Sequence, residues 1–270
     1  MEQIFARNPE ERQALSDKCV AIVGCGSVGG SSADIAARTG VGKLILIDPD
    51  CFAPENIGRH VLTAASLGKS KVHELARYLS QINNGLEVLP LQQKFIGRLP
   101  ERPDLIISAV DSFACESLVN GYSLAAEVPT IYVGVWGAAR IAEIYYVVPG
   151  RTGCYQCFAS FRRAQLEMPT DKRKYTDPDF DETKVPGQAG LWANILIANS
   201  LAFQVALGLF GLRPELINYE NNLWLMNISD FDSPLQPLAV TFGKLNQKGC
   251  PICNPSKLEE LTIYGRRHTG

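Results

Sequence analysis

The chain has 270 residues, of which 46% are hydrophobic, enough for one large α/β domain, or a domain with an appendage, whose sizeable core needs no covalent staples. Its formal charge of −2 lacks the overall basic balance that grips a nucleic-acid backbone, so nucleic acid is not an expected partner, although a local basic patch is not excluded. The opening stretch MEQIFARNPEERQAL carries charges throughout and lacks the apolar core of a signal peptide, so we expect a cytoplasmic protein whose eight cysteines stay reduced.

After a polar first helix within residues 1–18, KCVAIVGCG runs from a short β-branched strand, Cys19 to Val23, straight into glycines. Gly24, Gly26 and Gly29 match G-x-G-x-x-G, and residues 31–39 supply the helix that must follow. Without side chains at those glycines, backbone N–H groups can approach a phosphate at the positive helix end. Gly40 and Gly42 close the helix, and KLILI, Lys43 to Ile47, forms a second buried strand ending at Asp48. An acid at that strand tip suits a ribose hydroxyl, which leaves NAD binding and ATP binding equally open at this point.

The next segment, DPDCFAPENIGRHVLTAASLGKSKVHE, is rich in cations and amides. Lys71 to Ile82 has apolar positions at helical spacing, and Leu86 to Leu91 reads as a strand. Asp104 to Val110 is another buried strand ending at Asp111, and a helix around Cys115 to Glu127 leads to the strand Thr130 to Val135. Ala142 to Val148 is expected to be antiparallel. Strand–helix alternation of this kind implies a doubly wound, mainly parallel sheet of Rossmann-like form with helices on both faces.

Between residues 162 and 190 the sequence turns charged and proline-containing with no apolar period, as in a loop covering a site. Leu191 to Leu212 is apolar enough to raise the question of a membrane span, but Asn194, Asn199, Ser200 and Gln204 interrupt it and basic flanks are sparse. A buried core or subunit-interface helix is expected, with no membrane partner.

Cys154-Tyr-Gln-Cys157 and Cys250-Pro-Ile-Cys253 are two C-x-x-C turns, each able to present two thiolates to a tetrahedral zinc ion. With four ligands committed, such a Zn2+ has no open position and would serve stability. Cys19, Cys25, Cys51 and Cys115 are read as small buried hydrophobes, and His60, His73 and His268 as surface or helix-facing residues.

Asp48 with Asp50, then Asn56 and Arg59 as N-x-x-R, then Lys71 after the Gly68 turn, reproduce a motif series in order and spacing. In these residues the chain resembles the ubiquitin-activating superfamily, including the bacterial ThiF, MoeB and HesA group, from about residue 7 to about residue 253. The resemblance implies that Asp48 holds the ATP ribose, that Asn56, Arg59 and Lys71 grip the phosphates, and that Asp111 binds Mg2+. Lys69 is the competitor to Lys71, set aside on register. The resemblance also implies a homodimer in which an N-terminal arginine reaches the partner's ATP, with Arg7 preferred to Arg12. One adenylation domain over 1–270 follows, divided into an N-terminal helix at 1–18, a nucleotide-binding core at 19–161, a crossover lid at 162–190, and a C-terminal helix, strands and zinc clip at 191–270.

Such a domain is an ATP-dependent adenylyltransferase that activates the C-terminal carboxylate of a ubiquitin-like or sulfur-carrier protein with a flexible tail. Physical chemistry agrees with the carry-over, because attack of a carboxylate on the α-phosphorus joins two anions and expels a third, which cations and magnesium must neutralise. Some relatives carry a crossover-loop cysteine that accepts the activated carboxylate as a thioester. This chain has no cysteine from Phe158 to Gly249, so the reaction is expected to stop at the acyl-adenylate. The alternatives are the same chemistry on a peptide or a tRNA base, and a nicotinamide-dependent oxidoreductase, which leaves Asn56, Arg59, Lys71 and Asp111 without a task.

Overall fold

The computed structural model describes residues 5, 7–136, 141–159, 190–227, 238–239, 250, 252 and 253. The parallel strands are β1 (Cys19–Val23), β2 (Lys43–Ile47) and β4 (Leu105–Ser108), which are buried and mostly aliphatic, with the half-buried edge strand β3 (Glu87–Leu91) and β5 (Thr130–Trp136). β6 (Ile141–Val147), β7 (Leu223–Asn227) and β8 (Leu238–Ala239) continue the sheet antiparallel. The order β3-β2-β1-β4-β5-β6-β7-β8 reverses direction between β1 and β4, and crevices open outside the carboxyl ends of parallel strands at such a reversal. The mainly parallel, Rossmann-like sheet expected from the alternation is therefore present.

α1 (Ser27–Thr39) and α2 (Lys71–Ile82) share one apolar core with α4 (Trp192–Leu209), while α3 (Phe113–Ala126) and the helical turn 155–159 lie in a second core across the sheet. α1 begins four residues before the expected Ser31, with Gly29 and Gly30 inside it. Glycine is a weak helix former, but both positions are crowded by neighbours that exclude a side chain. Among its described residues the N-terminal segment forms the short 3-10 helix Glu10–Leu15, entered from Pro9. The charged loop expected at 162–190 lies outside the described residues but for Gly190.

Pro90 sits within β3, the outermost strand on that side, paired with Leu46. Glu87 donates its N–H inward to Gly42, so by alternation the donor that proline lacks would have faced away from the sheet. α4 carries no charged residue and is long and apolar enough to cross a membrane by length and composition alone. It packs instead on α1, β5 and β6, with Ser32 of α1 donating to the buried Asn199 amide oxygen at 2.5 Å.

α3 ends at Glu127, whose φ of 53° and ψ of 41° lie in the left-handed region that glycine occupies without penalty. Arg102 caps this end by donating to the carbonyls of Ala126 and Glu127 at 2.8 and 2.9 Å. Glu127→Gly is expected to stabilise the fold by about 1 kcal/mol, because it relieves the backbone and removes an anion from a helix C-terminus. A melting temperature that falls, or does not rise, would show that the glutamate side chain contributes more than its backbone costs.

Candidate functional site

The glycine turn joins β1 to α1, and it is built by close approach rather than by glycine's flexibility alone. Gly24 has φ of 86°, and a Cβ there would stand 2.7 Å from the Ala109 carbonyl oxygen and 2.8 Å from Val110. At Gly29 it would overlap the Gly24 carbonyl oxygen. Gly26 caps α1, and its missing Cβ would meet nothing within 4 Å. The helix thus presents its positive end to open space with no side chain in the way.

Four other segments converge on this turn. At the end of β2, the buried Asp48 accepts from the Cys25 N–H at 2.7 Å and from the Asp50 N–H at 2.8 Å. Burial pushes the Asp48 carboxyl up, opposed by Lys71 and these two N–H groups. The segment 68–71 runs back along 50–52: Phe52 N–H donates to Lys69, Gly68 N–H to Phe52 and Lys71 N–H to Asp50. That pairing delivers Lys71, only 8% exposed, so that its Nζ lies 3.0 Å from Asp50 and 4.0 Å from Asp48. Lys69 points elsewhere, donating to the Ala65 carbonyl at 2.9 Å beside Glu74, so the geometry favours Lys71 for the site.

The third segment is the 3-10 helix Pro54–Arg59, which bears the half-buried Asn56 and Arg59. The Asn56 side-chain oxygen accepts from the Ala53 N–H at 3.0 Å, which leaves its amide NH2 as the outward donor. Fourth, the Ala109 N–H donates to Val23 at 2.8 Å and Val110 presses on Gly24, which puts the exposed Asp111 directly beyond the turn. Asp48, Asp50, Lys71, Asn56, Arg59 and Asp111 thus stand on segments gathered around one glycine turn.

Arg7 is exposed and apart from this group. Its neighbour Asn8 donates to the Arg38 carbonyl, and the Arg12 guanidinium lies against Phe5 and beside Gly40, all at the far end of α1. Neither arginine belongs to the cluster of its own chain.

Of the two placements the sequence left open for His60, surface or helix-facing, the structure takes the second, against Gly30 of α1. The residue is 4% exposed, with Nε2 3.0 Å from the Cys25 carbonyl oxygen and Nδ1 accepting from the Leu62 N–H at 3.0 Å. Because Nδ1 accepts, Nε2 carries the proton. The signal available in the sequence was a fourth glycine, Gly30, whose missing Cβ would stand 2.6 Å from Nε2. Burial holds the imidazole well below its ordinary value, at about 4, with Lys71 nearby acting in the same direction and the Cys25 carbonyl opposing.

A histidine that stays neutral when folded and protonates when unfolded contributes fully above pH 6.5, and that contribution falls away as pH drops towards 4, by about 3 kcal/mol in all. The upward shift of Asp48 works the opposite way. Denaturant unfolding of the wild type and His60→Gln at pH 7 and pH 4.5 therefore isolates the histidine: the variant is expected to lose less stability on acidification. Equal losses would contradict this.

Of the remaining cysteines only Cys25 is buried, its thiol pushed well up by desolvation, which argues against a nucleophile there. Cys19 and Cys115 are half-buried and Cys51 is exposed, correcting the expectation of buried packing for these three.

The second cluster lies apart, in the core across the sheet. The Sγ atoms of Cys154, Cys157, Cys250 and Cys253 all fall within 4.8 Å of one another, with closest pairs at 3.4, 3.8 and 3.9 Å. Ligands 2.3 Å from a tetrahedral zinc are about 3.8 Å apart, so the thiols are spaced for a shared ion and too far for disulfides. Hydrogen bonds from Cys157 and Cys253 pull the Cys154 thiol down, and giving that bond pushes Cys157 up. A thiolate buried in this apolar pocket is stabilised by a cation among the four sulfurs.

The sequence model described as "ThiF family" matches residues 2–245. Ubiquitin-like modifier-activating enzyme 5 of Drosophila melanogaster is 31% identical over 262 residues, covering 91% of this chain and 59% of that protein. The Drosophila virilis protein of the same description is 30% identical over 215 residues, covering 74% and 53%. The chain therefore spans less than two thirds of the length of these relatives. Among solved structures, E. coli MccB with ATP shares 24% identity at a TM-score of 0.70, over 90% of this chain and 68% of that one. PaaA shares 19% identity at 0.60, over 84% and 66%.

Proposed function

The chain belongs to the ThiF family, and on that premise we propose that it uses ATP to adenylate the C-terminal carboxylate of a ubiquitin-like or sulfur-carrier protein. The observation that carries this reading is that the segments bearing Asp48, Asn56, Arg59, Lys71 and Asp111 meet around one glycine turn. In this reading the acid at the end of β2 takes the ribose hydroxyls, and the α1 N-terminus takes phosphate oxygens through its backbone N–H groups. Arg59, Lys71 and the Asn56 amide neutralise charge that moves onto pyrophosphate as the carrier carboxylate attacks the α-phosphorus. Asp111 would hold the magnesium ion, which supplies further charge neutralisation. No protein nucleophile is needed for adenylation, and the lack of cysteine over 158–249 supports release of the acyl-adenylate to a later acceptor. Zinc is the proposed occupant of the four-cysteine cluster, and a homodimer with Arg7 crossing to the partner's nucleotide completes the reading.

The test is mass spectrometry of carrier proteins ending in Gly-Gly after incubation with the chain, ATP and magnesium. Addition of AMP to a carrier, with pyrophosphate exchange that depends on it, is the expected result. Transfer of AMP to short peptides or to tRNA instead would replace the carrier reading with the corresponding acceptor, and competition by NAD with no exchange would end the adenylation reading.

A further inference from the structure

We infer that His60 is a positioning residue that fixes the direction of the Gly26 backbone N–H, and that Gly30 is glycine to make room for it; this rests on the adenylation reading above. The argument concerns one peptide unit. Cys25 is clamped on both sides: its N–H donates to Asp48 at 2.7 Å, and its carbonyl accepts from His60 Nε2 at 3.0 Å. A trans peptide puts its C=O and its N–H on opposite sides. Holding the Cys25 carbonyl towards the buried imidazole therefore turns the Gly26 N–H away from His60, and a Cβ on Gly26 would meet nothing within 4 Å, so that residue leaves the mouth of the turn open. That is where a phosphate oxygen must come.

The imidazole is itself fixed from several directions. Leu62 N–H donates to Nδ1 at 3.0 Å, Phe52 packs edge-on with ring centroids 5.2 Å apart, and Gly30 of α1 lies under the ring. Because His60 follows Arg59, the same side chain also ties the loop carrying Asn56 and Arg59 to the glycine turn. A Cβ added at Gly30 would stand 2.6 and 2.9 Å from the ring atoms Nε2 and Cε1. A free ring end would yield, but a ring bonded through both nitrogens cannot move without breaking one of those bonds.

The test measures binding of MgATP by calorimetry and of adenosine by saturation-transfer NMR, with melting temperature alongside. Glutamine places an N–H donor near Nε2 and can keep the Cys25 bond. Asparagine places an acceptor near Nδ1 and can keep only the Leu62 bond. His60→Ala, His60→Asn and Gly30→Ala are expected to weaken MgATP about tenfold with adenosine changed less than about twofold, and His60→Gln to bind MgATP near the wild-type level. Unchanged MgATP binding in His60→Ala, or equal losses of MgATP and adenosine tracking the melting temperature, would overturn the inference. Failure of the wild type to bind MgATP would overturn the proposed function and this inference with it.

Discussion

Lys71→Met is expected to reduce carrier-dependent pyrophosphate exchange by about a hundredfold or more, while Lys69→Met leaves it near the wild-type rate. The scale is that of removing one preorganised group from the place where transition-state charge develops. Lys71 is buried and stands 3.0 and 4.0 Å from the carboxylates of Asp50 and Asp48, so its ammonium is held in a fixed place before any nucleotide arrives. Lys69, two residues away and half exposed, is anchored to the Ala65 carbonyl and Glu74 on the outer side of the same turn. Two lysines of similar sequence context thus make opposite predictions. Removing Lys71 also leaves the buried Asp48 carboxyl with less compensation, which should push it further up. Thermal stability must be followed in parallel, because Asp50 is largely exposed and its own pairing with Lys71 is screened. Exchange that survives in Lys71→Met and fails in Lys69→Met would reverse the assignment.

The second large effect concerns the cysteines. Cys250→Ser, or prolonged chelation, is expected to lower the melting temperature by about 10 °C or more, in line with the loss of several kcal/mol from a chain of this size. The cluster is not a surface ornament. Tyr145 stacks on Phe158 with centroids 4.4 Å apart and donates its hydroxyl to the Gly153 carbonyl at 2.8 Å, and both rings are buried with the thiols in one core. Cys250 and Cys253 come 96 residues after Cys154 and Cys157, so a bound ion would close a long loop between the end of β6 and the end of the chain. Metal analysis should return one zinc per chain. Full stability in a metal-free preparation would mean that packing alone holds the four thiols together.

Much of this was legible because the central strands β1, β2 and β4 are runs of buried, mostly aliphatic residues followed by glycine or an acid. β1, β2 and α2 fall on the residues that the patterns predict, and the antiparallel turn at β6 is where it was expected. Asp48 and Asp111 stand out in the sequence for the same reason, as acids following buried strands, although β4 ends at Ser108, three residues before Asp111 and short of the expected Val110. What could not be read were contacts made across long sequence separations. The helix was expected from residue 31, yet Gly29 and Gly30 already lie in it, because only the folded chain brings Gly24 and His60 against them. α3 begins at Phe113, two residues early, where the Ser112 side chain accepts from the Cys115 N–H. His60 lacked any local signal of burial, and Cys51, between an acid and a phenylalanine, turned out exposed.

Pro90 has an implication for how copies of this chain can meet. An outer strand normally offers a comb of donors and acceptors onto which another polypeptide can knit, and that is the usual route to continuous intermolecular ribbons and to fibrils. Here the comb is missing a tooth midway along β3, on the side turned away from β2. Self-association by stitching backbones together is thereby disfavoured along this border, and a pairing of two chains across it has to be made through side-chain surfaces instead.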